Sequence, residues 1–206
     1  YADRFDEKYD LVRTLRVGKY KYIRNYQPFN IDGLFNFYRY KMLAYQEWEA
    51  LYNDGKLNAK QRQFFDSRGP EGLYDIDQDP HEVNDLSASR EHQEILAQMR
   101  KQLQEKLLLL PDLSFYPEPY LLDHAPDNPV VFGQNNKDKI KELMQVADLN
   151  LSRFEEVQEK INQALKDDNP WKRYWGLVVC TSFGEKAKSL VPQIKNLLEQ
   201  DDENLV

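Results

Sequence analysis

Near the start of the chain, apolar and polar residues alternate in two short runs that predict a β-hairpin. The runs cover residues 11–17 and 20–26, and Gly18 and Lys19 lie between them. Alternation with a period of two is typical of strands with one buried face, and glycine at the junction favours a tight turn. A third run, residues 73–76, predicts another strand. We expect one antiparallel sheet built from these segments.

The residues after the third run predict a turn and then a short helix. Pro80 ends the strand, since proline has no backbone donor. Asp79 is a suitable N-cap, with Pro80 at the first helical position and Glu82 at the third. This arrangement predicts a capped helical turn.

The same run carries the first part of a calcium-loop spacing in Asp75, Asp77 and Asp79. Such a loop needs glycine where Pro80 stands and a bidentate glutamate where Leu86 stands. We therefore assign no metal site here.

Apolar residues at steps of three and four predict a helix from about residue 34 to residue 52. Gly55 is expected to end it, and Asn58 to cap a shorter helix reaching Phe65. An aromatic stripe at this spacing usually packs in a core, so we interpret Trp48 as a packing residue. The stripe consists of Leu34, Phe37, Tyr38, Met42, Tyr45, Trp48 and Tyr52.

A longer amphipathic pattern predicts a helix from about residue 90 to residue 110. Its opposite side carries Arg, Gln, Lys and Glu, so it is suited to cover one face of a small sheet. The predicted fold class of residues 1–110 is therefore α+β, a small antiparallel sheet packed by a long helix. The apolar positions are Ile95, Leu96, Met99, Leu103, Leu107 and Leu110.

Prolines then interrupt the pattern and predict a linker at residues 111–136. They are Pro111, Pro117, Pro119, Pro126 and Pro129. Helical periodicity returns in residues 137–147, 152–166, 171–183 and 186–199, with Ser152 as an N-cap and Gly184 as a stop.

The helical tail contains an internal repeat. Ile161 and Leu165, followed by acidic residues, recur 33 residues later as Ile194 and Leu198. Residues 167–176, Asp-Asp-Asn-Pro-Trp-Lys-Arg-Tyr-Trp-Gly, resemble the turn and first helix of HEAT repeats. The resemblance implies an all-α HEAT-like segment at residues 137–206 that is cut short. Its uncovered apolar face implies pairing either with another copy, as a homo-oligomer through the tail, or with missing neighbouring repeats.

Composition excludes several classes of protein. The net charge of −7 and the pI near 5.1 argue against a nucleic-acid partner, because nonspecific affinity comes from neutralising phosphates with Lys and Arg. No apolar run is long enough to cross a membrane. The single Cys180 excludes an internal disulfide and is expected to be a packed hydrophobe. The chain starts at Tyr1 without a signal peptide, so we expect a piece of a longer protein.

Basic residues concentrate in the predicted hairpin. They fit either a solvated strand face or a contact with a sulfated polymer, and both interpretations stay open. The residues are Arg13, Arg16, Lys19, Lys21 and Arg24.

Two separated runs resemble sulfatases of the alkaline-phosphatase-like superfamily. Residues 71–86, Glu-Gly-Leu-Tyr-Asp-Ile-Asp-Gln-Asp-Pro-His-Glu-Val-Asn-Asp-Leu, are similar to the sulfatase pattern Glu-Leu-Tyr-Asp-Leu-x-x-Asp-Pro-x-Glu-x-x-Asn-Leu, with Gly72 in place of an acid. Residues 11–26 are similar to a sulfatase hairpin of the form Val-Arg-Thr-x-x-Tyr-Lys-Tyr-Ile-x-Asn. The branch resembled is bacterial and related to arylsulfatases and heparan N-sulfatases.

The resemblance implies that residues 1–110 are the C-terminal subdomain of a sulfatase. Such an enzyme hydrolyses sulfate esters or N-sulfates of a sulfated carbohydrate or aryl substrate. This part would complete the substrate pocket and scaffold a catalytic domain that is absent here. The resemblance also implies a periplasmic or secreted parent protein.

Sulfatases use a formylglycine made from Cys/Ser-x-Pro-x-Arg, together with a divalent cation. This chain contains no such motif. No cofactor is therefore expected in the chain itself, and calcium or magnesium and formylglycine are expected in the catalytic domain. We expect the chain alone to be inactive.

Arg4, Asp6 and Glu7 are the candidate substrate-binding residues. The resemblance implies that they border the substrate pocket, where Arg4 would hold a sulfate or carboxylate and Asp6 a sugar hydroxyl or amine. Charged residues on a solvated connection are the plainer explanation.

Two functions without catalysis also stay open. One is a HEAT-like protein-interaction module. The other is a carbohydrate-binding domain that uses aromatic side chains as stacking surfaces, namely Tyr20, Tyr22, Tyr26, Phe29 and Trp48.

Overall fold

The computed structural model describes residues 9–200, with side chains up to residue 199. Three strands lie in its first half: β1 (Val12–Val17), β2 (Tyr20–Asn25) and β3 (Glu71–Asp75). The α-helices are α1 (Phe37–Tyr40), α2 (Leu43–Asn53), α3 (Ala59–Arg62), α4 (Gln93–Leu109), α5 (Glu118–His124), α6 (Pro129–Asn135), α7 (Lys137–Ala147), α8 (Phe154–Ala164), α9 (Pro170–Phe183) and α10 (Val191–Gln200). Short 3₁₀ segments cover Arg90–His92, Leu113–Phe115, Asp148–Leu151 and Gly184–Leu190.

The chain divides into two compact units between Leu103 and Gln104. The first unit contains the sheet and the second contains the later helices, so the α+β class predicted from the sequence is confirmed. Within the described residues, no helix is both long enough and apolar enough to cross a bilayer.

The three predicted strands form one antiparallel sheet in the order β1-β2-β3. Leu15, Tyr22 and Leu73 lie side by side across it, and all three are buried. Helix α4 adds the buried Leu96 and Met99 to this core. Burial of each such side chain contributes about 1.5–3 kcal/mol. The row of apolar residues therefore fixes the register, because a slip by one residue would turn the row toward solvent.

The outer edge of β3 is covered by the end of the sulfatase-like run. The Leu73 N–H donates to Asp85 Oδ1 at 3.0 Å, and the Leu86 N–H donates to the Leu73 carbonyl at 2.7 Å. An uncovered edge strand offers its backbone groups to other chains. Asp85 and Leu86 therefore close this edge.

The short helix predicted after Asp79 is absent, and that prediction is wrong. Residues 77–86 form turns, in which Glu82 has a φ of 54°, outside the right-handed helical region. The Glu82 carboxylate accepts from Lys21 Nζ at 2.6 Å and 2.7 Å, while Asp79 Oδ2 accepts from the Asn84 N–H at 2.7 Å. Because Glu82 pairs with a strand residue, it is not available to cap a helix.

The aromatic stripe forms two short helices instead of one. Helix α1 begins after Asn36, whose side chain accepts from the Arg39 N–H at 3.0 Å. No residue of α1 or α2 is buried, and Phe37, Tyr38 and Met42 are exposed. The prediction of a packed stripe is therefore wrong for its first part, because no described element covers that part.

The second part of the stripe does pack. The Trp48 ring stacks on Phe64 at a centroid distance of 4.6 Å, and Tyr52 stacks on Phe65 at 4.9 Å. Gly55 follows α2 with a φ of 67°, a conformation in which glycine ends helices without strain. The interpretation of Trp48 as a packing residue is confirmed.

The second unit begins with helical structure where the sequence predicts a linker. Residues 111–136 contain α5 and α6, and Phe115 is fully buried. The Trp175 Nε1–H donates to the Phe115 carbonyl at 2.9 Å. Pro129 occupies the first position of α6 after the capping Asn128, where a missing N–H costs nothing. Pro117, the N-cap of α5, and Pro129 therefore stand where helices begin, while the predicted domain boundaries at residues 110 and 136 stay a prediction.

Helices α7 to α10 occupy nearly the ranges that periodicity predicts. The core between α8, α9 and the Gly184–Leu190 segment includes Ile161, Val179 and Cys180. Gly184, with a φ of 55°, ends α9 as predicted. Ser152 is not the N-cap of α8, because Arg153 holds that position and makes no side-chain cap.

Candidate functional site

A cleft of about 670 Å³ lies on the face of the sheet opposite the buried Leu15–Tyr22–Leu73 row. Thr14, Ile23 and Gly72 form its floor, since they occupy neighbouring positions on the three strands. An added Cβ at Gly72 would lie 3.0 Å from the Tyr74 ring. This contact gives a steric reason for glycine at the position where the sulfatase pattern carries an acid.

One wall of the cleft is held by a network around Asp10. The carboxylate of Asp10 is nearly buried and accepts from Arg68 Nη2 at 2.7 Å and from Asn30 Nδ2 at 3.2 Å. Arg68 also donates to Asp32 Oδ1 at 3.2 Å and to the Asn30 carbonyl at 3.3 Å. Charge-assisted bonds of this kind are roughly twice as strong as neutral ones. The network therefore fixes Asp10, near the start of the described chain, at the edge of the cleft.

The opposite wall carries the residues of the sulfatase-like run. Lys21 and Glu82 form the bidentate ion pair described above, and Tyr74 stands beside them. Burial and the neighbouring carboxylates Asp85 and Glu82 raise the pKa of Tyr74. Tyr74 therefore stays protonated at neutral pH.

Acidic groups outnumber basic ones around the cleft. The carboxylate of Glu71 pairs with Arg100 on the other face of the sheet, and the remaining lining residues carry five carboxylates against three cations and one histidine. A sulfate group carries negative charge, so the cleft as a whole repels it. The five carboxylates are Asp10, Asp32, Asp66, Glu82 and Asp85, and the cations are Lys21, Arg39 and Arg68.

The described residues contain no cluster of metal ligands of the kind that a sulfatase uses. Nowhere in residues 9–200 do three or more His, Cys, Asp or Glu side chains come together in a way that could hold a metal. Cys180 is buried, and burial raises the pKa of its thiol to about 11. The residues present therefore do not fit the divalent cation or the nucleophile that the sulfatase resemblance implies.

The predicted substrate-binding residues Arg4, Asp6 and Glu7 lie outside the described residues. They precede Asp10 by six, four and three positions in the sequence. The Asp10 network was not found by sequence reasoning, because Asn30 and Arg68 are 20 and 58 residues away from Asp10. Only the rule that a buried carboxylate needs a partner would have pointed to such a network.

The basic hairpin residues do not form one solvated face. Arg24 is buried, donates to the Asn25 and Pro70 carbonyls, and lies over the Tyr26 ring. Lys19 pairs with Asp75 at 2.6 Å. Lys21 is also paired, and Arg13 and Arg16 donate to the Val12 and Gly18 carbonyls. All five basic residues therefore make contacts within the first unit.

The proposed sugar-stacking aromatics are also largely enclosed. Tyr22 and Tyr26 are fully buried, so neither can present a ring face to a carbohydrate. Tyr20 meets His92 edge-on at a centroid distance of 6.0 Å, and Trp48 stacks on Phe64. Phe29 alone of the five is exposed among the described residues.

Comparison with known proteins connects the chain to sulfatases. A stretch of 123 residues is 38% identical to the "Ulvan-active sulfatase" of Formosa agariphila. The match covers 59% of this chain and spans 21% of that protein. No family model matches the chain, and no solved structure matches it. The chain therefore contains a sulfatase-related region.

Proposed function

We propose that this chain is the C-terminal part of a sulfatase that hydrolyses sulfate esters or N-sulfates of a sulfated carbohydrate or aryl substrate. The observation that carries the proposal is the 38% identity over 123 residues to an ulvan-active sulfatase. The name of that relative makes ulvan the first substrate to test. Catalysis belongs to a separate domain that supplies formylglycine and calcium or magnesium.

In this proposal the first unit positions the residues that precede it. Asp10 is nearly buried and accepts hydrogen bonds from Asn30 and Arg68, which supports a role in anchoring the segment containing Arg4, Asp6 and Glu7. Arg4 binds a sulfate or carboxylate group of the substrate, and Asp6 and Glu7 accept hydrogen bonds from sugar hydroxyls or amines. The acidic lining of the cleft suits hydroxyl recognition and scaffolding better than sulfate binding.

Sulfate release tests this proposal. The natural protein that includes this chain should release sulfate from ulvan or from a chromogenic aryl sulfate, whereas residues 1–206 alone should release none. Arg4→Ala in the natural protein should raise KM more than it lowers kcat, because the guanidinium binds substrate without taking part in the chemical step. Metal-dependent turnover by residues 1–206 alone, or no turnover by the natural protein, would contradict the proposal.

We further infer that the second unit is a HEAT-like helical array that forms homo-oligomers through its last helices. Support comes from α10, where Val191 and Leu198 remain exposed, and from an apolar groove of about 600 Å³ lined by Leu177, Val191 and Ile194. Sedimentation analysis should find oligomers that Leu198→Ser dissociates. A chain that is monomeric at all concentrations would contradict this assignment.

A further inference from the structure

Five large apolar side chains are exposed within nine consecutive residues of the first unit. We call them the aromatic patch: Phe35 (61% exposed), Phe37 (49%), Tyr38 (71%), Met42 (56%) and Leu43 (79%). Single exposed apolar residues are common, but a contiguous group of this kind marks a surface that another molecule covers.

The patch is held in place by contacts on its inner side. Phe35 stacks on Tyr40 at a centroid distance of 5.5 Å and an interplanar angle of 14°, and the Tyr40 hydroxyl donates to the Gly33 carbonyl at 2.6 Å. Lys41 Nζ lies 3.9 Å from the centroid of the Phe37 ring. The exposed rings are therefore preorganised, which lowers the entropic cost of burying them against a partner.

Helix α1 contributes residues both to the patch and to the acidic cleft. Arg39, between Tyr38 and Tyr40 in α1, lines the cleft and donates to the Asp32 carbonyl at 2.9 Å. Its guanidinium lies 5.4 Å from the centroid of Phe64, which also lines the cleft. Helix α1 thus supplies Arg39 to the cleft, and Phe37 and Tyr38 to the patch.

Charge decides between the possible occupants of this surface. A sulfated polymer is a polyanion, and it would meet five carboxylates against three cations on a chain with a net charge of −7. Met42 and Leu43 also offer no hydrogen-bonding group to a sugar. Aromatic residues, methionine and arginine are enriched in the cores of protein interfaces. The surface therefore fits a protein partner with an apolar centre and a basic border.

We propose that the aromatic patch and the acidic cleft are the surface against which the remaining polypeptide of the sulfatase packs. This inference rests on the proposed function. The length of the sulfatase relative supports this occupant, because the matched residues span only 21% of that protein. Most of that relative therefore lies outside the match and is available to cover such a surface.

Side-chain oxidation by hydroxyl radicals tests the proposal in the intact natural protein and in residues 1–206 alone. Tyr38 and Met42 should be oxidised at least about tenfold more slowly in the intact protein, since residues in the core of an interface are fully buried. Leu122 and Leu110, which are 67% and 74% exposed in the second unit, serve as internal references and should change little. Equal oxidation of Tyr38 and Met42 in both proteins would overturn the proposal.

Two other occupants give distinct results that would also overturn it. Protection of Tyr38 and Met42 in residues 1–206 alone that rises with protein concentration and persists in Leu198→Ser, the variant that dissociates the tail oligomer, identifies a second copy on the patch. Protection that appears only after ulvan is added identifies the polysaccharide.

Variants separate this inference from the proposed function. Tyr38→Ser/Leu43→Ser should leave the stability of residues 1–206 unchanged but lower the Tm of the intact protein by several degrees. The matched control Leu122→Ser/Val130→Ser changes side chains that are 67% and 73% exposed. It should lower neither the stability of residues 1–206 nor the Tm of the intact protein. Sulfate release is measured on the same samples. Release without protection of the patch refutes this surface alone, whereas protection without release refutes the proposed function alone.

Discussion

Replacement of Glu71 by glutamine should selectively destabilise the first unit. The Glu71 side chain, 10% exposed on β3, accepts from the Tyr22 hydroxyl and from the Arg100 Nε at 2.6 Å. The Glu71 carboxylate, through its hydrogen bond and charge, raises the pKa of Arg100. The group thus ties strands β2 and β3 to helix α4, and removal of its charge leaves Arg100 without a counter-ion.

The magnitude follows from burial. Removing one partner of a fully buried ion pair costs about 3–5 kcal/mol, and partial solvent exposure reduces this cost. Because the Arg100 side chain is 32% exposed, we expect a loss of about 2–3 kcal/mol for Glu71→Gln. Tyr22→Phe alone should cost about 1–2 kcal/mol, since it removes one hydrogen bond to a charged acceptor. The two changes should cost less together than the sum of their separate costs, because both remove the same contact.

Amide hydrogen exchange measures this loss within one sample. Protection of β1–β3 amides should fall in Glu71→Gln, while α8 and α9 in the second unit serve as an internal reference. Glu47→Gln, an exposed carboxylate on α2, is the matched control and should change protection by less than about 0.5 kcal/mol. Unchanged protection of the sheet in Glu71→Gln, or an equal loss in α8 and α9, would refute the reasoning.

Three further predictions concern the second unit and the edge of the sheet. Trp175→Phe removes the donor to the Phe115 carbonyl and should destabilise the second unit by about 1–3 kcal/mol in urea unfolding; an unchanged midpoint would mean that residues 111–116 do not pack there. Cys180 should not react with a thiol reagent at pH 8 until denaturant is added, because burial raises its pKa to about 11; rapid reaction of the folded protein would contradict its burial. The hydrogen bond and charge of Lys19 hold the pKa of Asp75 below its ordinary value of 3.8. The Lys19–Asp75 pair therefore stabilises the folded protein above pH 3.8. This stabilisation is lost as the pH falls through the lower pKa of the folded state. In Asp75→Asn, the free energy of unfolding should therefore fall less steeply as the pH is lowered below that value. The same pH dependence in the variant and the unchanged protein would contradict the contribution of this pair.

Local sequence patterns are sufficient to predict the sheet and most of the helices. The runs at residues 11–17, 20–26 and 73–76 alternate over their own length, and α4 and α7 to α10 repeat every three to four residues. Such periodicity needs no knowledge of distant residues. Gly18 and Gly184 both have positive φ. They mark a turn and a helix end, and glycine at these positions of the sequence is enough to predict both.

The missed features depend on distant partners. Glu82 fits a helix start by sequence, but Lys21, 61 residues away, pairs with it and the helix does not form. The pair of Asp10 and Arg68 forms one wall of the cleft. No periodic pattern in the sequence predicts that these two residues meet. The spacing of Tyr38 and Met42 predicts a helix with an apolar face, but it does not predict which element covers that face. The candidate site is therefore less predictable than the fold.

The central claim is that this chain supplies the C-terminal part of a sulfatase, and a chimaera tests it most directly. The 123 matched residues of the ulvan-active sulfatase of Formosa agariphila are replaced by their counterparts from this chain, and sulfate release from ulvan is measured. Our account predicts a folded chimaera that keeps sulfate release within about tenfold of the parent, a change of roughly 1.4 kcal/mol in the activation barrier. A folded chimaera that releases no more sulfate than the parent without this region would contradict it.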